Sequence, residues 1–396
     1  MIEAQRPPTG ARRLALATAL TYGLGAVASG GGGLAMAPIV GLAGLIAAPW
    51  KPAGSRLRRP SAALWLAIAL IAWLALSLIW TPTPNAAERF AKALASVGGG
   101  LLLILASHTR ATAPAAWVAR AGVALLAALL MIEAAFGLPL NRLAQPNAAA
   151  DWLLARNAAK GAAILTLFIW GATLGLARGV RGQALIAIGA ATSAAALGWA
   201  FDMGAASVAA ILGLSAWMLG LFAPRWAVRI VAGVVAALIL AAPLVGAQLS
   251  ALAGGEAQAL PFSWRDRLDI WASAAGYIGD RPILGHGFDA ARAFPTAQIV
   301  EGAARAAIPL PPHNLGLQLW LEGGAPAVLV AAALALLVGE RAARGADRAT
   351  MRAIASLGAA WTTFAALSFG AWQEWWIASF AAAVALVALN RPRQAL

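Results

Sequence analysis

The chain has 396 residues, 61% of them hydrophobic and 11% charged, with a mean hydropathy of +0.77. A soluble globular chain is nearer half apolar and a quarter charged, so a soluble enzyme, a disordered chain and a nucleic-acid binder are all poor fits. The net charge of +14 falls between long apolar runs, which is a membrane-topology pattern, and the lack of cysteine excludes disulfides, thiolate metal sites and a thiol nucleophile.

A bilayer core takes about 20 apolar residues per helix. Twelve such segments are predicted, near 14–29, 34–50, 61–80, 91–107, 115–137, 158–177, 183–200, 204–223, 226–248, 314–338, 353–371 and 374–390. The fold class expected is all-α: a polytopic integral membrane protein of about 12 transmembrane helices. Spans 1–9 occupy residues 1–248, a large outer loop covers 249–313 between spans 9 and 10, and spans 10–12 occupy 314–396. Ala26-Val27-Ala28 after the first apolar run also fits a signal-peptide cleavage site, but a second apolar span follows directly after Gly30 to Gly33, which favours a retained first span. With the N-terminus in the cytoplasm, inner segments hold 19 of the 29 basic residues, including Arg12, Lys51, Arg178, Arg225, Arg344 and Arg391. Only Glu3, Glu340 and Asp347 accompany them, so every inner loop obeys the positive-inside rule and the C-terminus is also inside.

The first candidate for chemistry lies at the outer end of span six. Arg156 and Lys160 are one helical turn apart and repel each other unless an anion sits between them or Asp151 pairs with them. Glu133 and Asp202, at other outer helix ends, read equally as capping or interhelical partners.

The outer loop is far longer than an ordinary connection and carries Arg265, Arg267, Arg281, Arg292 and Arg305 against the charge bias. Within it, residues 264–279 read as an amphipathic helix with Trp264, Leu268, Trp271, Ala275 and Ile278 on one stripe. Such a helix is expected to lie in the outer membrane interface, its tryptophans at headgroup depth. Arg267 can then meet a lipid phosphate, or pair with Asp266, Asp269 or a native lipid.

Span ten opens with PPHNLGLQLWLEGGAP. Asn314, Gln318 and Glu322 fall at i, i+4 and i+8, one polar stripe that reads as a functional line or as a helix-packing network. His313 stands at its mouth. No nucleotide, flavin or acyl-enzyme motif occurs, no zinc motif is present, and no cofactor or metal is expected.

WRDRLDIW, DRPILGHGFDAAR and PPHNLGLQLWLEGGAP, in that order, resemble the signature region of the O-antigen ligase and polymerase superfamily. The resemblance rests on Arg267 four residues before Trp271, on Pro282, Gly285 and Gly287 in a P-x-x-G-x-G turn, and on His313, Asn314, Leu317, Gln318, Glu322 and Gly324. KGAAIL from Lys160 and AWQEWW from Ala371 add to it. The resemblance implies a GT-C-like glycosyltransferase of the bacterial inner membrane with its active site facing the periplasm. Its donor is an undecaprenyl-diphosphate-linked glycan and its acceptor a lipid A–core sugar hydroxyl, transferred with inversion and without metal. It implies Arg267 and His313 as catalytic residues, with Arg267 on the donor diphosphate and Arg265 beside it. Where many members carry a mid-chain Ser-Arg-Gly, this chain reads FDMGAAS from Phe201, so Lys160 or Arg156 stands in as the second basic residue. The alternatives are a polymerase of the same superfamily, using a second lipid-linked repeat as acceptor, and a secondary transporter, whose site would lie near the membrane midplane.

Overall fold

The computed structural model describes residues 9–48, 61–148, 150–253, 259–260, 262–294, 296–300, 303–306, 308 and 311–392. Of the basic residues that set the topology, Arg6, Lys51, Arg56, Arg58, Arg59 and Arg393 lie outside these. Helix α1 (Thr9–Thr18) passes through a π-helical turn (Ala19–Leu24) into α2 (Gly25–Gly30). There follow α3 (Met36–Ala47), α4 (Ala62–Leu76), α5 (Ala86–Arg110), α6 (Ala113–Ala135), α7 (Pro139–Ala144), α8 (Asp151–Ala172), α9 (Val180–Ala200), α10 (Gly204–Phe222) and α11 (Pro224–Ala253). After α12 (Phe262–Asp280) come strands β1 (Thr296–Val300) and β2 (Ala303–Ala306), then α13 (Leu315–Gly345), α14 (Arg348–Leu367) and α15 (Glu374–Asn390).

Each of the twelve apolar segments therefore holds a helix. Eight of the described helices are long and apolar enough to cross a membrane, while Met36–Ala47 and Glu374–Asn390 are shorter apolar helices. Side-chain caps start several of them: Ser61 accepts from Leu64 N, Thr112 from Ala115 N with Pro114 in the first turn, and Asp347 from Ala349 N and Thr350 N. The fold is helical as expected, with one short antiparallel hairpin of β1 and β2 in the outer loop. Its strands are only 5 and 4 residues long, too short for an alternating pattern to separate them from loop.

Helix α8 is the centre of the bundle. Every residue from Gly161 to Ala172 is buried, including Phe168 and Trp170, so this segment is covered by protein on all sides. It packs against α6, α9, α14 and α15. Its N-terminal end, with Arg156 and Lys160, stands at the same end of the bundle as the start of α13 and the end of α14. The opposite ends lead to Arg178, Arg225 and Arg344.

The amphipathic helix α12 exists, but its apolar face is not turned to lipid. Leu268, Ile270, Trp271, Ala274 and Ile278 are buried in a cluster with Ala242 of α11 and Leu317 and Leu321 of α13. Trp271 is 4% exposed while Trp264 stays 42% exposed. The expectation is corrected for Trp271, Leu268 and Ile278, which dock within the protein, while Trp264 stays exposed. A stripe of this kind satisfies either solvent, and sequence periodicity does not distinguish them.

Candidate functional site

The site is assembled at the corner between α14 and α15. Helix α14 ends at Leu367, and the last carbonyls of a helix have no intrahelical donor. Arg267 Nε donates to Leu367 O at 3.0 Å, and His313 Nδ1 lies 2.6 Å from Ser368 O. Two candidate residues, 46 positions apart in the chain, are thus held by adjacent carbonyls of a third element. A carbonyl only accepts, so His313 Nδ1 carries the proton and Nε2 keeps its lone pair in the neutral ring. The indole of Trp271 donates to Pro312 O at 3.0 Å, tying α12 to the residue before His313.

His313 has φ 53°, a left-handed conformation that is uncommon for any residue but glycine. Such strain costs about 1–2 kcal/mol and is held here by the bonds on either side. Burial lowers the His313 pKa below its ordinary 6.5; the Ser368 carbonyl raises it, Arg267 lowers it, Asp266 raises it and Arg156 lowers it. The net direction is down, so the ring is neutral at pH 7. The guanidinium of Arg267 is itself half-shielded: burial lowers its pKa and Asp266 works against that. It also lies over the Trp264 ring at 5.6 Å.

Arg156 of α8 is near enough for its charge to act on His313. Asp151, a candidate counter-charge for Arg156 and Lys160, is instead bound by Arg142 at 2.9 Å. Lys160 Nζ stands over the Trp375 ring at 5.9 Å, and Trp375 meets Phe369, the residue after Ser368, edge-on at 4.9 Å. Arg265 lies one short step before Arg267 on α12 and is partly buried. Arg267 and Arg156 both act electrostatically on the neutral His313, and Lys160 is linked to the same corner through Trp375 and Phe369. Such a set of cations suits an anion with several oxygens.

The polar stripe of α13 is placed differently from a line of reactive groups. Asn314 is the N-cap of α13, its Oδ1 accepting from Leu317 N at 3.0 Å. Gln318 Nε2 donates to Glu322 Oε1 at 3.1 Å and Gln318 Oε1 accepts from Ala371 N at 2.8 Å. The other Glu322 oxygen accepts from Trp372 Nε1. Both side chains are buried, at 2% and 0% exposure, and all four contacts are internal. These are the contacts of a helix-packing network.

The P-x-x-G-x-G turn is likewise structural. Helix α13 breaks at Gly324 (φ 61°, ψ −164°), beside Pro326, which frees backbone groups for other partners. His286 N donates to Leu321 O at 2.8 Å, Gly287 N to Glu322 O at 2.9 Å, and Trp73 Nε1 to Gly323 O at 2.7 Å. In return Ala325 N donates to Pro282 O at 3.0 Å. A Cβ on Gly285 would lie 2.6 Å from the Glu322 carbonyl, so the turn approaches the break backbone to backbone. Next to it Asp289 is 5% exposed and binds Arg89 at 2.7 Å and Arg292 at 2.9 Å, fixing the loop to α5. Glu133 accepts from Leu140 N and Asn141 N, which makes it the cap of α7. Asp202 forms the left-handed turn between α9 and α10 at φ 53°. Among the described residues, no three of His, Asp or Glu gather as a metal site.

Sequence reading missed Leu367 and Ser368, because a backbone acceptor leaves no residue-type signal. The AWQEWW segment did carry one, since Trp372 is the residue that meets Glu322.

Two apolar grooves flank α14 and reach this corner. One, of about 420 Å³, runs between α10, α11 and α14 up to Leu367. The other, of about 1160 Å³, extends from His108 and Asp347 at the opposite end to Ala371 and Trp372.

Residues 188–332 match the family model described as O-antigen ligase, which supports placing the chain in the O-antigen ligase superfamily. The matched stretch includes Arg267 and His313 and stops short of the α14–α15 corner. No curated protein and no solved structure matches the chain significantly.

Proposed function

We propose that this chain is an O-antigen ligase: a glycosyltransferase that moves a glycan from undecaprenyl diphosphate to a sugar hydroxyl of lipid A–core. In this reading it is a GT-C-like protein of the bacterial inner membrane with twelve spans, both termini cytoplasmic and the site facing the periplasm. Residues 1–248 form spans 1–9, 249–313 the catalytic loop and 314–396 spans 10–12. The observation that carries it is the pair of Arg267 and His313 on adjacent carbonyls, in a chain whose middle matches O-antigen ligase.

The chemistry follows from the two groups. The bond between the anomeric carbon and the phosphate oxygen breaks, and negative charge builds on the departing diphosphate. Arg267, with Arg156 and Lys160, would stabilise that charge as it develops. The acceptor hydroxyl attacks the opposite face of the anomeric carbon, inverting it, and gives its proton to His313 Nε2, free because Nδ1–H is bound to Ser368. A positioned base of this type contributes about 10²–10⁴-fold. The apolar grooves that end at Leu367 and at Trp372 suit the hydrocarbon chains of lipid-linked substrates.

The test is a lipopolysaccharide gel from a strain lacking the gene, complemented with wild type, Arg267→Ala or His313→Ala. A ligase requires that the deletion lose the O-antigen ladder, keep intact core and accumulate long lipid-linked glycan, and that neither variant restore the ladder. Core bearing a single repeat would make the protein a polymerase. An unchanged ladder would refute both roles, and uptake retained in both variants would favour a transporter.

A further inference from the structure

The α14–α15 corner is gripped from two sides. On one side its Leu367 and Ser368 carbonyls hold Arg267 and His313. On the other, three residues further along, Ala371 N and the Trp372 indole are held by Gln318 and Glu322. Gly370 lies between, where an added Cβ would fall 2.5 Å from Pro311 and 3.3 Å from Gln318 Oε1. Six residues, Leu367 to Trp372, therefore span both grips, with Gly370 packed against Pro311. Glu322 itself lies at the break of α13, its carbonyl bound by Gly287 N. The corner's position is thus referred to the hydrogen-bonded break of α13.

We infer that Gln318 and Glu322 are positioning residues for the proposed transfer: by fixing Ala371 and Trp372 they set where the Leu367 and Ser368 carbonyls hold Arg267 and His313. Neither side chain reaches the reacting atoms, since every polar atom of the pair is used internally. The inference rests on the ligase reading of Arg267 and His313.

The hydrogen-bond logic supplies a sharp test, because the pair can be exchanged. In Gln318→Glu/Glu322→Gln, the new carboxylate accepts from Ala371 N and from the new amide, whose oxygen accepts from Trp372. All contacts are restored with the residues reversed. Either single substitution leaves a conflict: two carboxylates side by side, or an amide nitrogen facing a donor. Trp372→Phe is a milder variant that deletes one donor while keeping a ring against Phe288, which lies 5.0 Å away.

Purified full-length variants would be incubated with membranes of the deletion strain, which hold the native donor and acceptor. Initial ladder formation is read per folded protein, with melting temperature measured in parallel. We expect Gln318→Glu, Glu322→Gln and Trp372→Phe to lower turnover by about 100-fold, the effect of roughly an ångström of misplacement. The exchanged pair should recover most of it. Turnover unchanged in folded Trp372→Phe, or an exchanged pair that folds but stays as slow as the singles, overturns the inference. Arg267→Ala and His313→Ala run beside them. If these two turn over normally, the ligase reading fails and takes this inference with it. If they are inactive while the Gln318, Glu322 and Trp372 variants turn over normally, only the positioning role falls.

Discussion

Gly324→Ala is a substitution for which the structure demands a large effect outside the reactive pair. The residue sits at φ 61° and ψ −164°, a region essentially reserved for glycine. An added Cβ would lie 2.1 Å from the Ile283 carbonyl oxygen and 2.7 Å from Gly285 N, both rigid backbone atoms. Alanine must therefore either straighten α13 or expel the turn at residues 282–287. The backbone strain alone is about 1–3 kcal/mol. Expelling the turn also exposes three hydrogen bonds to loss, those of His286 N, Gly287 N and Ala325 N, each worth about 1 kcal/mol. The expected destabilisation is about 4–6 kcal/mol, beyond the range of ordinary single substitutions. Melting in detergent, followed by tryptophan fluorescence, measures it. Gly233→Ala in α11 is the control: no heavy atom lies within 4 Å of its added Cβ, and alanine is the better helix former. If Gly324→Ala melts with Gly233→Ala and restores the ladder equally well, the break in α13 is not what holds the turn.

The remaining expectations concern charge. Activity should rise with pH as His313 loses its proton and level off below 6.5, because burial and the adjacent arginines hold its pKa down; an acid limb centred above 6.5 would contradict this. Arg156→Ala removes a cation that lowers that pKa, so the acid limb should move to higher pH. Arg267→Lys keeps the charge but loses the planar fork and the Leu367 contact, so transfer at fixed donor should fall by at least tenfold; wild-type rates would argue against diphosphate recognition. Asp289→Asn leaves Arg89 and Arg292 facing each other, and should cost roughly 2 kcal/mol in melting experiments, less than a fully buried pair because both arginines are about a third exposed.

The helices were legible because each apolar run has the length that a bilayer sets, and α12 because its stripe repeats at helical spacing. What the stripe faces was not legible: Trp271 could sit in lipid or against Leu317, and only the packed chain shows the second. The spacing of Gln318 and Glu322 correctly placed them on one face, yet the same spacing serves a reactive line and a closed network equally well. Their partners, Ala371 and Trp372, lie about 50 residues away. His313 and Arg267 stood out as residue types, whereas the carbonyls that hold them are common to every residue. The turn at Pro282 stood out only as part of the family resemblance, and in the structure it bonds to the break in α13.

The dependence of Arg267 and His313 on Leu367 and Ser368 bears on any attempt to move this chemistry between scaffolds. A chimera that carries residues 249–323 into another membrane protein imports the arginine, the histidine and their helix. It leaves behind the carbonyl pair that aims them, and such a graft should bind and yet not turn over. Adding the Leu367–Trp375 corner enlarges the graft by a short segment and supplies the aim.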